Sequence, residues 1–350
     1  MEKVRVDRIH WLDVLKGILI VLMVMGHVPN IAIRQGYDIG LLKYYPYICT
    51  VYGCFFMQTF FVATGYTGNF SQPFKKFFVK QIKNIIIPYI SFSCILKAVG
   101  ILFYDESLFV TVYGQEFFFL VEGYWFLTSL FLAKILYWII YNVTDNQYLV
   151  GGYCVLFMLV GFTLTLMYQG AEEPSHYNNY FHYRNGLCMM IFLWSGRFFR
   201  DLKNQQLLIA GIVFLICYIT TFLINWRTDY PIQYLMPTGF SHGVNFYSYW
   251  QIPSYMFYAF TGSALVILVA RWINENRVLE YIGKNSIVFY CIHFSFLQLF
   301  IPIFEKYVGF SSLLSCIIFM ILVTLSSLLA SAGVTEVLRI KPFKYLLGRF

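Results

Sequence analysis

"WLDVLKGILIVLMVMGH" (Trp11–His27) is long and apolar enough to enter a bilayer, yet it carries a carboxylate, an ammonium and an imidazole. An ionisable side chain inside a span costs at least about 2.5 kcal/mol, so Asp13, Lys16 and His27 are functional candidates from the start. Read as a helix, Lys16 and His27 lie eleven residues apart. At 100° per residue they fall within about 20° of one face, roughly 16 Å apart along the axis. Asp13 sits one turn before Lys16 on the same side, within reach of an ion pair. One polar stripe therefore runs most of the way through this helix.

The rest of the chain has the same solvent preference. It has 350 residues, 59% hydrophobic and 12% charged, with 37 Phe and 29 Tyr. Soluble domains carry about 25% charged residues. Runs of about 20 apolar residues recur to the end, and no stretch is polar enough to form a separate soluble domain. The expectation is one polytopic membrane domain over residues 1–350, all-α, with about ten transmembrane helices. The predicted spans are 11–30, 49–68, 85–104, 123–141, 148–168, 186–200, 206–225, 249–271, 284–304 and 311–332. Residues 107–122 read as a re-entrant or interfacial piece. The basic start before an apolar run resembles a signal peptide, but "MGHVPNIA" (25–32) offers no small-residue cleavage site, so the first span reads as retained.

Basic residues orient the chain. With the N-terminus in the cytoplasm, 17 of the 25 Lys and Arg fall in inside segments and five (Arg34, Lys43, Arg184, Arg227, Lys306) in outside ones. Lys16, Lys97 and Lys134 fall within spans. This is a positive-inside pattern that places both termini in the cytoplasm. It also explains the net charge of +8 without nucleic acid. The two longest outside loops, 168–186 and 225–250, mix Tyr, Trp, Asn and His, which suits either sugar recognition or an interfacial aromatic belt. The sequons at Asn69 and Asn142 face inward in this topology.

A second constellation lies near the end of the chain. In "YIGKNSIVFYCIHF" (281–294), Ser286, Tyr290 and His293 are spaced i, i+4, i+7 and share a helix face. His27 and His293 are the only two of the six histidines that fall within spans. There is no HExxH, Walker loop, GxSxG or GxGxxG, and no CxxC joins the eight cysteines, so neither a metal nor a disulfide framework is expected.

Five blocks in order resemble the acyltransferase-3 superfamily, in its branch of membrane sugar O-acetylases. "RIHWLDVLKGILIVLMVMGH" (8–27) is similar to the first helix, where many relatives carry Arg in place of Lys16. "FFMQTFFVATGY" (55–66) is similar to the second helix, where Gln58 stands at a position that is commonly proline. "KQIKNIIIPY" (80–89), "GYWFLTSLF" (123–131) and "IGKNSIVFYCIHF" (282–294) resemble the basic entry to the third helix, the Trp-Phe-Leu segment and the late helix ending in His.

The resemblance implies transfer of an acyl group, usually acetyl, from cytoplasmic acetyl-CoA to a hydroxyl of a surface glycan or its lipid-linked precursor in a bacterial inner membrane. It implies that Lys16, Lys80 and Lys83 receive the polyanionic donor. Trp125, Ser286 and Tyr290 would contact substrate. His27 would act as general base or be acylated in passing, with Asp13 beside Lys16. His293 would orient the acceptor or stabilise the oxyanion. The partners expected are the acyl-CoA donor, the glycan acceptor and membrane lipids, with no metal and no nucleic acid. The rivals are a transporter or flippase for a lipid-linked glycan, an O-acyltransferase of the other large membrane class, and a structural or sensor protein. A transporter predicts inverted repeats and broken helices. The two halves show no such symmetry.

Overall fold

The computed structural model describes residues 9–37, 53–103, 124–168, 180–228, 251–308 and 312–348. These residues form helices and no strand. In chain order the helices are α1 (His10–Arg34), α2 (Phe56–Thr67), α3 (Phe74–Gln81), α4 (Ile87–Phe103), α5 (Trp125–Val143) and α6 (Gln147–Tyr168). They continue as α7 (Tyr183–Asp201), α8 (Asn204–Thr228), α9 (Gln251–Ile273), α10 (Arg277–Lys284), α11 (Ser286–Val308) and α12 (Leu313–Arg339). A π-helical turn, Ile82–Ile86, joins α3 to α4.

Seven helices are long and apolar enough to cross a membrane: α1, α5, α6, α8, α9, α11 and α12. The chain is therefore a multi-pass membrane protein, with helices and no strand among its described residues. The other three predicted spans are also helical but fall short of that measure. The described part of the second is 12 residues (α2) and the third is 17 (α4). The sixth, α7, is long enough at 19 residues but ends in Arg197, Arg200 and Asp201. The expected re-entrant piece at 107–122 and most of the two aromatic loops lie outside the described residues.

α1 occupies the middle of the bundle, packing on α2, α9, α10, α11 and α12. Its core face includes Val14, Leu15, Leu19, Ile20, Met23, Val24 and Val28. Glycines set the closest approaches, as is usual where no water drives helix association. A Cβ on Gly17 would come within 2.1 Å of the Leu279 carbonyl oxygen, and one on Gly283 within 1.9 Å of the Asp13 carbonyl oxygen. The two contacts are reciprocal, so α1 and α10 touch backbone to backbone. The same device joins α2 to α7, with Gly65 against the Leu193 carbonyl and Gly196 against the Val62 carbonyl. By contrast, α6, α8 and α12 show rows of exposed apolar residues, such as Ile212, Ile216, Ile219 and Leu223, that suit lipid.

The basic residues gather at one end. There Arg271 lies 5.0 Å over the ring of Trp11, which itself meets Tyr66 edge-on at 5.3 Å. Arg200 lies over the Tyr66 ring at 5.4 Å. Arg339 lies over Tyr281 at 5.1 Å, and Glu280 binds Lys284 at 2.6 Å and His10 at 3.1 Å. The start of α1 and the ends of α2, α7, α9 and α12 thus share this basic end.

Candidate active site

The chain leaves α10 through Asn285, and this break positions the late histidine. Asn285 is buried, with φ −113° and ψ 18°. Its Nδ2 donates to the Tyr281 carbonyl at 2.8 Å, while its backbone N–H reaches the carbonyls of Tyr281 and Ile282. The cap ends one helix and redirects the chain into α11 beside α1. Gly17 and Gly283 hold α10 against α1, and α11 leaves the end of α10 to pack beside α1. His293, eight residues into α11, thereby lies beside His27, eighteen residues into α1.

The two imidazole rings are 5.3 Å apart between centroids and inclined by 34°. Phe294 closes one side, 4.7 Å from His27 and 4.6 Å from His293. His293 is fully buried, and its Nδ1–H donates to the Tyr290 carbonyl at 2.6 Å. Its Nε2 is buried and has no hydrogen-bond partner among the described residues. An N–H committed to a backbone carbonyl fixes the tautomer, so the neutral ring offers a lone pair at Nε2.

The start of α5 backs this pair. Tyr124 donates its hydroxyl to the Cys291 carbonyl at 2.6 Å, and the Tyr290 hydroxyl accepts from the Phe126 backbone N–H at 3.3 Å. Trp125, between them, is buried and meets Phe126 edge-on. One turn further, Thr128 Oγ1 lies 3.0 Å from His182 Nδ1, and the Ser129 hydroxyl donates to the His182 carbonyl. Phe181 and His182 both hold left-handed backbone, φ 54° and 49°. Such strain persists only where the surroundings enforce it.

Not every expected site residue joins this centre. Tyr290 does. Trp125 reaches it through its neighbours. Ser286 is the first residue of α11, two turns from His293, and is half-buried. Asp13 is buried where α1 meets α10. Lys80 is in the last turn of α3 and Lys83 in the π-helical turn, both exposed. The sequence pattern did not single out Tyr124, Phe126, Phe294 or His182. Their only signal was adjacency to Trp125 and His293, or a place in an aromatic loop.

Among the described residues, no group of three or more His, Cys, Asp and Glu could hold a metal ion. No disulfide joins any two of the seven described cysteines. No curated protein and no solved structure matches the chain significantly. The family model for an acyltransferase domain, acyltransferase-3, matches residues 9–332, nearly the whole chain and every helix of the site. On that match, and with the two-histidine centre inside a bundle of membrane helices, the chain belongs to the acyltransferase-3 family.

Proposed function

We propose that this membrane acyltransferase moves an acetyl or similar acyl group from cytoplasmic acyl-CoA to a hydroxyl of a surface glycan or its lipid-linked precursor. The setting would be a bacterial inner membrane, with the basic end of the bundle facing the cytoplasm. The observation that carries the reading is the His27–His293 pair, 5.3 Å apart and enclosed by Phe294, with one ring nitrogen left as an open acceptor. Family membership favours it over the transporter reading.

The chemistry needs one base and one aligned hydroxyl. His27 takes the proton of the acceptor hydroxyl as its oxygen attacks the thioester carbonyl. The C–S bond then breaks, the ester C–O bond stays, and the CoA thiolate takes its proton back from the His27 imidazolium. An imidazole, with an unperturbed pKa of about 6.5, can do both near neutral pH. His293 fits the orienting role better than the oxyanion role. Its only N–H in the neutral form is bound to the Tyr290 carbonyl, so Nε2 accepts a hydrogen bond and cannot donate one. It would hold the acceptor hydroxyl toward His27. At the basic end, Lys16, Lys80 and Lys83 would attract the donor's phosphates.

The test uses purified protein with acetyl-CoA labelled in the acetyl group and a surface-glycan extract as acceptor. Wild type should release CoA and label the glycan. His27→Ala should bind acetyl-CoA and do neither. Wild type that binds and turns over no acyl-CoA would remove the donor assignment. A fully active His27→Ala would remove the mechanism.

A further inference from the structure

Past Arg339, the last residue of α12, the chain forms a 3₁₀ turn, Phe343–Leu347, that packs on α4 and α12. Leu347 and Gly348 are buried there. Gly348 closes the turn with φ 67°, its N–H donating to the Tyr345 carbonyl at 3.0 Å. A Cβ on Gly348 would lie 1.8 Å from the Lys83 carbonyl oxygen and 3.2 Å from the Lys83 Cα. Backbone meets backbone, and only glycine suits both the left-handed conformation and the close approach. The other side of this contact is the π-helical turn, Ile82–Ile86, which carries Lys83 and begins two residues after Lys80. In it the Ile87 N–H reaches back five residues to the Ile82 carbonyl. Pro88 brings no N–H to the next carbonyl of that ladder, the one on Lys83. Turns of this kind are frequent at functional sites. With the ladder interrupted, the shape of the turn depends on what packs against it, which is α5 and the Gly348 backbone.

We infer that Gly348 is a positioning residue for donor binding: the C-terminal turn clamps the Lys83 backbone and so sets where the Lys80 and Lys83 ammonium groups stand toward the donor. This deepens the acyl-CoA reading and rests on it. Both lysine side chains are exposed, on flexible four-carbon stems, so the fold controls them only through their backbone. Lysine ammonium groups bind phosphate oxygens as point charges. Displacing the turn moves Lys83 against Lys80 and spoils their joint hold on one polyphosphate. The C-terminal turn lies beyond residues 9–332, so family membership does not account for it.

The experiment is a double-mutant cycle on donor affinity. Wild type, Gly348→Ala, Lys83→Met and the double variant are purified, and kcat and KM are measured with acetyl-CoA and the glycan extract, beside direct binding of CoA. Gly348→Ala should raise the KM for acetyl-CoA and weaken CoA binding by about fivefold or more, with kcat and the KM for glycan within about twofold of wild type. In the Lys83→Met background the same substitution should add less than about twofold, because residues that act through one contact are not additive. Leu347→Ala loosens the turn without a backbone clash and should repeat the KM effect, whereas the volume-conserving Leu347→Met should not. If Gly348→Ala does not fold, Leu347→Ala carries the same comparison. Fully additive effects overturn the inference and leave the acyl-CoA reading intact. So does a Gly348→Ala protein whose only defect is a lower yield of enzyme with wild-type KM. A Lys83→Met protein with a wild-type KM for acetyl-CoA removes Lys83 from the donor site, and the inference with it. Wild type that neither binds nor turns over acyl-CoA overturns both readings.

Discussion

His27 and His293 carry different loads, and substitution separates them. His27→Asn should lower kcat by about 10²-fold or more with acetyl-CoA binding unchanged, because general-base catalysis contributes that much. His293→Phe keeps the packing against Phe294 but removes the acceptor at Nε2. It should raise the KM for the glycan and lower kcat, leaving the KM for acetyl-CoA near wild type. His293→Gln, whose amide oxygen accepts a hydrogen bond, should recover part of the loss. An equal loss in the Gln and Phe variants would mean that Nε2 is not an acceptor for substrate. The His10–Glu280–Lys284 cluster makes a separate, structural prediction. Hydrogen bonds from Lys284, then His10, hold the Glu280 carboxyl below its ordinary value of 4.5. A carboxylate lowered in the folded state adds stability above its unfolded pKa and loses it as pH falls through the folded one. The Tm of wild type should therefore drop below about pH 4.5, and Glu280→Gln should flatten that acid limb.

Among the elements, α10 controls the site without touching it. It presses backbone against backbone on α1 at Gly17 and Gly283, and its end at Asn285 decides where α11 begins. Gly283→Ala puts a methyl group where the Asp13 carbonyl already lies, so α10 must move. Overpacking of this kind costs about 1–3 kcal/mol. The expected result is a lower Tm together with a fall in kcat that exceeds the loss of folded protein, because His293 shifts against His27. Gly333→Ala is the control, since nothing lies near a Cβ there. The sequence showed these glycines and the Gly-Lys-Asn-Ser run, but gave no sign that they pair. Glycine pairing depends on the level at which two helices meet, and no local pattern encodes that.

At the scale of the whole molecule, the basic end gives a direct test of orientation. Val278 at the start of α10 and Tyr307 near the end of α11 are 68% and 77% exposed. In intact cells a membrane-impermeant maleimide should label Tyr307→Cys above the wild-type background and not Val278→Cys. The reverse pattern would turn the basic end outward and remove the cytoplasmic donor.

Composition and hydropathy alone were enough for an all-helical membrane protein, because bilayer crossing depends on local length and apolarity, which each segment carries by itself. They also marked Asp13, Lys16, His27 and His293 as costly residues that need a purpose. For α2, α4 and α7 the described residues do not meet the measure of a span, through length or terminal charges, so the expected ten spans stand at seven among the described residues. The meeting of residues distant in sequence was decided only by the tertiary structure. His27 and His293 lie 266 positions apart and share a centre because α10 is pinned to α1. Side-chain cost is written into each residue, but the partner that offsets it is chosen by packing.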